Sequence, residues 1–272
     1  MSAGAAPPLL AAEGIGIAFG GLTALEGVGF AARAGEVLAI IGPNGAGKTT
    51  LFNIVSGLYR PSAGRVLLAG QPVTGLPPHR LAALGLSRTF QNLQVFFRMT
   101  AAENVMVGRH LQEGAGRAGG LLSDLLRLPG TRARNRATRA AAMALLEEVG
   151  LADLADVPAG ALPYGALKRL EIARALAAAP RVLLLDEPAA GCNPVETEEV
   201  DRLIEQVAAR GVAVVLIEHD MKLVMRISRR VVVLNQGRML AEGTPAEVRR
   251  NPEVVAAYLG AQGSAAGHVH AS

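Results

Sequence analysis

Three stretches of the chain, Val37–Ile41, Val182–Leu185 and Val212–Ile217, are apolar runs without a polar break. Strands buried on both faces of a parallel sheet read this way, whereas a half-exposed strand alternates. Between the second and third runs, Val200, Leu203, Ile204 and Val207 recur at i, i+3, i+4 and i+7 with acids and Arg202 among them, which predicts an amphipathic helix. Together they make a strand–helix–strand unit. Leu9–Phe30 carries shorter apolar runs broken at Gly20-Gly21, the pattern of a β-hairpin. Gly64–Gly70 reads as a short strand, Pro77-Pro78 opens a helix to about Leu84, and Leu86–Gln91 is a strand ending on polar Gln91. From Thr100 the texture changes. Ala101–Leu111, Leu121–Leu128, Ala133–Val149 and Leu167–Ala178 read as helices separated by Gly- and Pro-rich breaks. Val231–Leu234 and Arg238–Ala241 flank Gln236-Gly237 as a closing hairpin, and Thr244 is placed to cap a helix beginning at Pro245. The expected fold is α/β with a mixed sheet and an inserted helical subdomain. Residues 1–98 and 180–260 form its core, 99–179 the insertion, and 261–272 a disordered tail in which His268 and His270 are incidental.

Composition narrows this picture little. Half of the 272 residues are hydrophobic and 18% are charged, enough to bury a large core. No apolar run approaches the roughly 18–20 residues of a membrane span, and the N-terminus lacks the pattern of a signal peptide. A single cysteine, Cys192, excludes an internal disulfide and argues against a metal cluster; it is expected to be a small buried residue. These features predict a soluble, cytoplasmic chain. A net charge of +4 suits an anionic ligand or a membrane-adjacent location and is too small to argue for nucleic acid.

The chemistry begins at the end of the first apolar run. Gly42-Pro43-Asn44-Gly45-Ala46-Gly47-Lys48-Thr49-Thr50 satisfies G-x-x-x-x-G-K-[ST] between a strand and a helix, which predicts a P-loop NTPase. Glycines there let backbone N–H groups wrap phosphates, and the following helix aims its N-terminal dipole at the same anion. Lys48 is placed for the β- and γ-phosphates and Thr49 for Mg²⁺. The run Val182–Leu185 delivers Asp186 and Glu187 at a strand's carboxyl end, where ligands sit in such sheets. Asp186 suits Mg²⁺ and Glu187 the orientation or deprotonation of water. Leu162-Pro163-Tyr164-Gly165 begins another helix, with Gly165 permitting close approach of an anion. Phe19, on the turn side of the hairpin, fits a base platform or a core position equally well.

The order of phosphate loop, Gln91, LPYG helix, strand-Asp-Glu, Ala189–Pro194 and strand-His219 resembles the nucleotide-binding subunit of ABC transporters over about Leu9–Gly260. RTFQNLQVF (88–96), AAENVMVGRH (101–110), DEPAAGCNP (186–194), IEHDMKLVM (217–225) and the ending EGTPAEV…NPEVVAAYLG are similar to the ATPase of branched-chain amino acid importers. The resemblance implies a head-to-tail dimer that sandwiches each ATP between one phosphate loop and the partner's Tyr164-Gly165 segment. It also implies that Phe19 stacks on adenine, Gln91 senses the γ-phosphate and Mg²⁺ while facing a permease, and His219 contacts the γ-phosphate. The expected partners are a second ATPase, identical or related, membrane permease subunits and, indirectly, an extracytoplasmic solute-binding protein. The expected location is the cytoplasmic face of the inner membrane. Related ATPases serving urea, amides or an exported lipid remain as alternatives.

Pro163 and Ala166 stand where the general LSGGQ signature has serine and glutamine, leaving Gly165 as the stronger ligand. Asn193 can hydrogen-bond across a dimer. Arg127, Arg132, Arg134, Arg136 and Arg139 form a basic run that reads as a solvated face or as a contact for anionic lipid.

Overall fold

The computed structural model describes residues 7–109 and 129–258. The predicted segment 121–128, the tail from Gly260 with His268 and His270, and the Arg127, Arg132 and Arg134 side chains lie outside the described residues. The chain divides into two compact units. One holds the described residues up to Leu86, Arg181–Glu187 and those from Ile204 onward; the other holds Ser87–Pro180 and Pro188–Leu203.

The first unit carries two sheets. Strands β1 (Leu10–Phe19) and β2 (Leu22–Ala32) form the expected antiparallel hairpin, and β1 pairs on its other edge with β4 (Ala63–Leu68) and, through it, β5 (Gln71–Pro72). The second sheet runs β10-β9-β3-β8-β7-β6, with β3 at Val37–Ile41, β6 at Leu86–Arg88, β7 at Val182–Asp186, β8 at Ala213–Ile217, β9 at Arg230–Asn235 and β10 at Arg238–Gly243. β9, β3, β8 and β7 are parallel, and β10 folds back antiparallel on β9. Every residue of β3, β7 and β8 is buried, as unbroken apolar runs require. Helix α1 (Lys48–Val55) buries Leu51, Phe52, Ile54 and Val55 in the same core; α2 (Pro78–Ala83) starts with proline in its first turn, where a missing N–H costs nothing. Arg230 ties the sheets together: its guanidinium donates to the Ala31 carbonyl, to Glu36 at 2.9 Å and to Glu242 at 2.6 Å. Glu36 is buried, so losing either partner would strand a charge away from water.

The second unit is built on α3 (Ala101–Gly108), α4 (Pro129–Glu148) and α5 (Tyr164–Leu176), with the start of α6 (Pro194–Ala209). Thr100 and Glu103 cap α3 reciprocally. Buried Asn104 accepts from the Phe96 N–H at 2.8 Å and donates to the Phe96 and Thr100 carbonyls, so one amide fixes the loop entering α3. Gly108 lets α3 press on α5, since a Cβ there would fall 2.2 Å from the Arg174 carbonyl oxygen.

Two expectations need correction. The strand before Gln91 stops at Arg88, and Gln91 stands in a bend; further along the loop, the Gln94 and Phe96 N–H groups donate to the Glu171 and Asn104 side chains. Cys192 is half-exposed, on the turn into α6 and not in a core.

Candidate functional site

Because β8 lies between β3 and β7, their carboxyl ends bring the phosphate loop, His219 and the Asp186-Glu187 pair to one edge of the sheet. This is the position at which parallel sheets bind ligands.

The loop's path is set by glycines that no other residue replaces. At Gly42 (φ 152°) a Cβ would sit 2.1 Å from the Leu234 carbonyl oxygen; at Gly47 (φ 99°) it would sit 2.6 Å from Leu25 Cδ2. Ala46 is buried, and its carbonyl accepts from the Gly237 N–H at 3.1 Å, so the β9–β10 turn braces the loop. Pro43 is partly exposed, while Asn44, Gly45 and Thr49 are open to solvent and Thr50 is partly so. α1 starts at Lys48 with no side-chain cap and no acid in its first turn, leaving its amides for an incoming anion. Lys48 Nζ donates to the Gly42 carbonyl at 2.7 Å and the Pro43 carbonyl at 3.0 Å. Burial lowers its pKa, and the carboxylates of Glu187 and Asp186 push it back up. The lysine thus shares a field with both acids.

Asp186 ends β7 and is buried. Glu187 follows in the left-handed region at φ 49°, unusual for a residue with a Cβ and a conformation that gathers at functional sites. Its N–H donates to the Ile217 carbonyl at 3.0 Å, which pins the turn to β8. His219 Nδ1 lies 3.6 Å from Glu187 Oε1, with the imidazole largely exposed and the carboxylate mostly covered. Between them in sequence, Glu218 is buried and accepts from the His219 N–H at 3.1 Å. Asp220 caps α7 (Met221–Ile227), so His219 is fixed from both sides.

Phe19 is 46% exposed and packs edge-on against Tyr59, with ring centroids 5.4 Å apart. Exposure removes the core reading for Phe19. Tyr59 is a second exposed aromatic that sequence patterning missed, because it follows a turn with no periodic signal.

Gln91, Tyr164 and Gly165 belong to the second unit. Tyr164 is 44% exposed at the start of α5, and a Cβ on Gly191 would meet its ring at 2.9 Å. Gly165 is covered by Glu196: a Cβ there would lie 2.4 Å from the carboxyl carbon. Glu196 in turn accepts from the Asn193 N–H at 2.9 Å while Asn193 Oδ1 accepts from the Glu196 N–H at 3.0 Å, a reciprocal cap on α6. Asn193 Oδ1 is therefore committed to its own helix, leaving Nδ2 for any bond across a dimer. Gly165→Ala should push the Glu196 carboxylate off the Asn193 N–H while the Asn193 Oδ1 half of the cap stays, at a cost of about 0.5–1 kcal/mol of stability, read as a slightly lowered melting temperature; an unchanged melting temperature would show that Glu196 swings away freely.

Known proteins place the chain. A family model described as ABC transporter matches residues 25–190, and one described as branched-chain amino acid ATP-binding cassette transporter matches residues 238–263. The chain is 47% identical over 254 residues, 93% of its length and 98% of the relative's, to the high-affinity branched-chain amino acid transport ATP-binding protein BraF of Pseudomonas aeruginosa. It is 46% identical, with the same coverage, to LivG of Escherichia coli, which bears the same description. The lipopolysaccharide export system ATP-binding protein LptB of Acidithiobacillus ferridurans is 38% identical over 84% of this chain and 87% of that one. Among solved structures, an ATP-binding cassette of an ABC transporter in its ADP conformation superposes with TM-score 0.80 at 32% identity, covering 93% of this chain and 99% of the other. With the phosphate loop, the two strand-end acids and the histidine gathered at one sheet edge, the chain belongs to the family of ATP-binding, ATP-hydrolysing subunits of ABC transporters.

Proposed function

We propose that this chain hydrolyses ATP to power an importer of branched-chain amino acids. The observation that carries this reading is the identity to BraF along nearly the whole of both chains, joined to the match of residues 238–263. The 38% identity to LptB supports a lipid exporter less well. Uptake of labelled leucine by vesicles holding the chain with its permease would test the cargo; ATP turnover stimulated by lipid and not by amino acid would favour the second reading.

In the proposed mechanism the loop amides and Lys48 neutralise the triphosphate. The donors at hand suit Mg²⁺, a hard cation that takes one or two protein oxygens and completes its shell with phosphate and water. The Thr49 hydroxyl and the Asp186 carboxylate would hold it, with Gln91 completing the set as the resemblance implies. Bound there, the ion would offset charge developing on the transferred phosphoryl group. Glu187 accepts a proton from the attacking water, and His219, 3.6 Å from that carboxylate, orients the γ-phosphate side of the site. Phe19, with Tyr59 behind it, offers adenine an aromatic face. Tyr164 and Gly165 serve the nucleotide of a second ATPase, identical or related, so closure needs two subunits.

The helical unit exposes Phe90, Phe96, Phe97 and Met99 near Gln91 in sequence. Clustered exposed apolar side chains of this size mark a protein contact, and we assign it to the permease, at the cytoplasmic face of the inner membrane and beneath a solute-binding protein. No helix among the described residues is long and apolar enough to cross a membrane. Gln91→Ala should lower transport by about tenfold or more while basal hydrolysis falls only about two- to threefold. Equal loss of both in a reconstituted transporter would make Gln91 purely catalytic.

A further inference from the structure

On α5 the residues Tyr164, Lys168, Glu171 and Arg174 follow one another at spacings of four, three and three, so they share one helix face. Lys168 and Glu171 are almost completely buried there, an expensive placement for a lysine and a carboxylate. Their contacts run in sequence. Lys168 Nζ stands 5.8 Å from the centre of the Tyr164 ring. Glu171 Oε1 accepts from the backbone N–H of Gln94 at 3.3 Å. The Arg174 guanidinium lies 5.6 Å over the Phe96 ring. Burial raises the Glu171 pKa, opposed by the amides of Gln94 and Phe90 and by the Lys168 and Arg174 charges. The carboxylate thus faces amides of the loop of residues 90–96 and two cations of its own helix.

We propose that Glu171 is a positioning residue that binds the Gln91 loop to α5, so that loop and Tyr164-Gly165 move as one body. This rests on the composite-site reading above. In a dimer, the Gln91 loop answers to a subunit's own nucleotide and Tyr164-Gly165 to its partner's. A buried carboxylate joining them transmits occupancy of one site to the other, and transmits permease contact at the loop to both. The rest of α5 is held to suit: Arg169 donates to the Val149 carbonyl at 3.1 Å and pairs with Glu199 at 3.5 Å, so the helix is anchored away from the loop as well.

The test uses the complete reconstituted transporter, with amide hydrogen exchange read at residues 90–96 and 164–168 with and without ATP. In the unmutated chain ATP should slow exchange at both segments. Glu171→Ala should keep ATP-dependent protection at 164–168, weaken it at 90–96 to what the loop's own nucleotide still gives, and lower amino acid transported per ATP hydrolysed by about 3- to 30-fold. Glu171→Gln, which keeps an acceptor for the Gln94 N–H and removes the charge, should fall between; if Glu171→Ala does not fold, the glutamine variant alone decides. Unchanged protection at 90–96 together with unchanged transport per ATP would overturn the proposal. Absence of ATP-dependent protection at 164–168 in the unmutated transporter would instead remove the composite site beneath it.

Discussion

Glu187→Gln should lower steady-state ATP turnover by about 10²- to 10⁴-fold, the range over which a positioned general base contributes. Nucleotide affinity should be nearly unchanged, because the carboxylate lies on the water side of the γ-phosphate in the proposed site and makes no bond to the base or ribose. The substitution is isosteric, and glutamine tolerates the left-handed φ of 49° no worse than glutamate does. The strand-end turn, pinned by the Glu187 N–H to the Ile217 carbonyl, should therefore persist. With binding intact and hydrolysis stopped, the ATP-bound closed state loses its exit, and a stable dimer should accumulate in size-exclusion chromatography with ATP. Normal turnover would remove Glu187 as the base. Lost turnover without a dimer would separate chemistry from the two-subunit site. The His219 imidazole, 3.6 Å from the carboxylate, is given the γ-phosphate in the proposed site and should not substitute for it.

Much of this site was legible before any coordinates. The phosphate loop needs glycines for steric reasons that leave a fixed spacing in sequence, and Gly42 and Gly47 do stand where a Cβ would strike Leu234 and Leu25. The buried strands announced themselves because burial on both faces removes polar positions, and Asp186 stands out as the first charge after such a run. What stayed hidden depends on the second unit and on side chains meeting far apart in sequence. Glu171 reads as one more polar residue in an Arg- and Lys-rich helix until its contact with Gln94, 77 positions earlier, is seen. Glu196 covering Gly165 is equally silent, since the first turn of α6 looks complete with its own cap. Gln91 ended the expected strand too late because Thr89 and Phe90 have strand propensity, and the loop's tertiary hydrogen bonds overrode it.

Lys48→Ala should weaken ATP binding on the order of 100-fold, from the loss of charge-assisted hydrogen bonds worth about 1.5–3 kcal/mol each. The argument turns on where the ammonium is held. Its bonds to the Gly42 and Pro43 carbonyls fold the side chain back over the loop, so the charge is organised around the anion's seat. Burial works against that charge, and the acids Asp186 and Glu187 sustain it. Removing it leaves Asp186 and Glu187 facing an incoming triphosphate with the proposed Mg²⁺ as the one cation left to offset them, which should cost ATP more affinity than ADP. Lys48→Arg keeps the charge but presents a planar, longer group that cannot repeat the two carbonyl contacts, and it should recover only part of the loss. Titration of each variant with fluorescent ATP and ADP analogues measures both effects, with melting temperature as the control for folding. Wild-type affinity in a folded Lys48→Ala protein would mean that the triphosphate binds elsewhere, and the roles given to Thr49, Asp186 and Glu187 would fall with it.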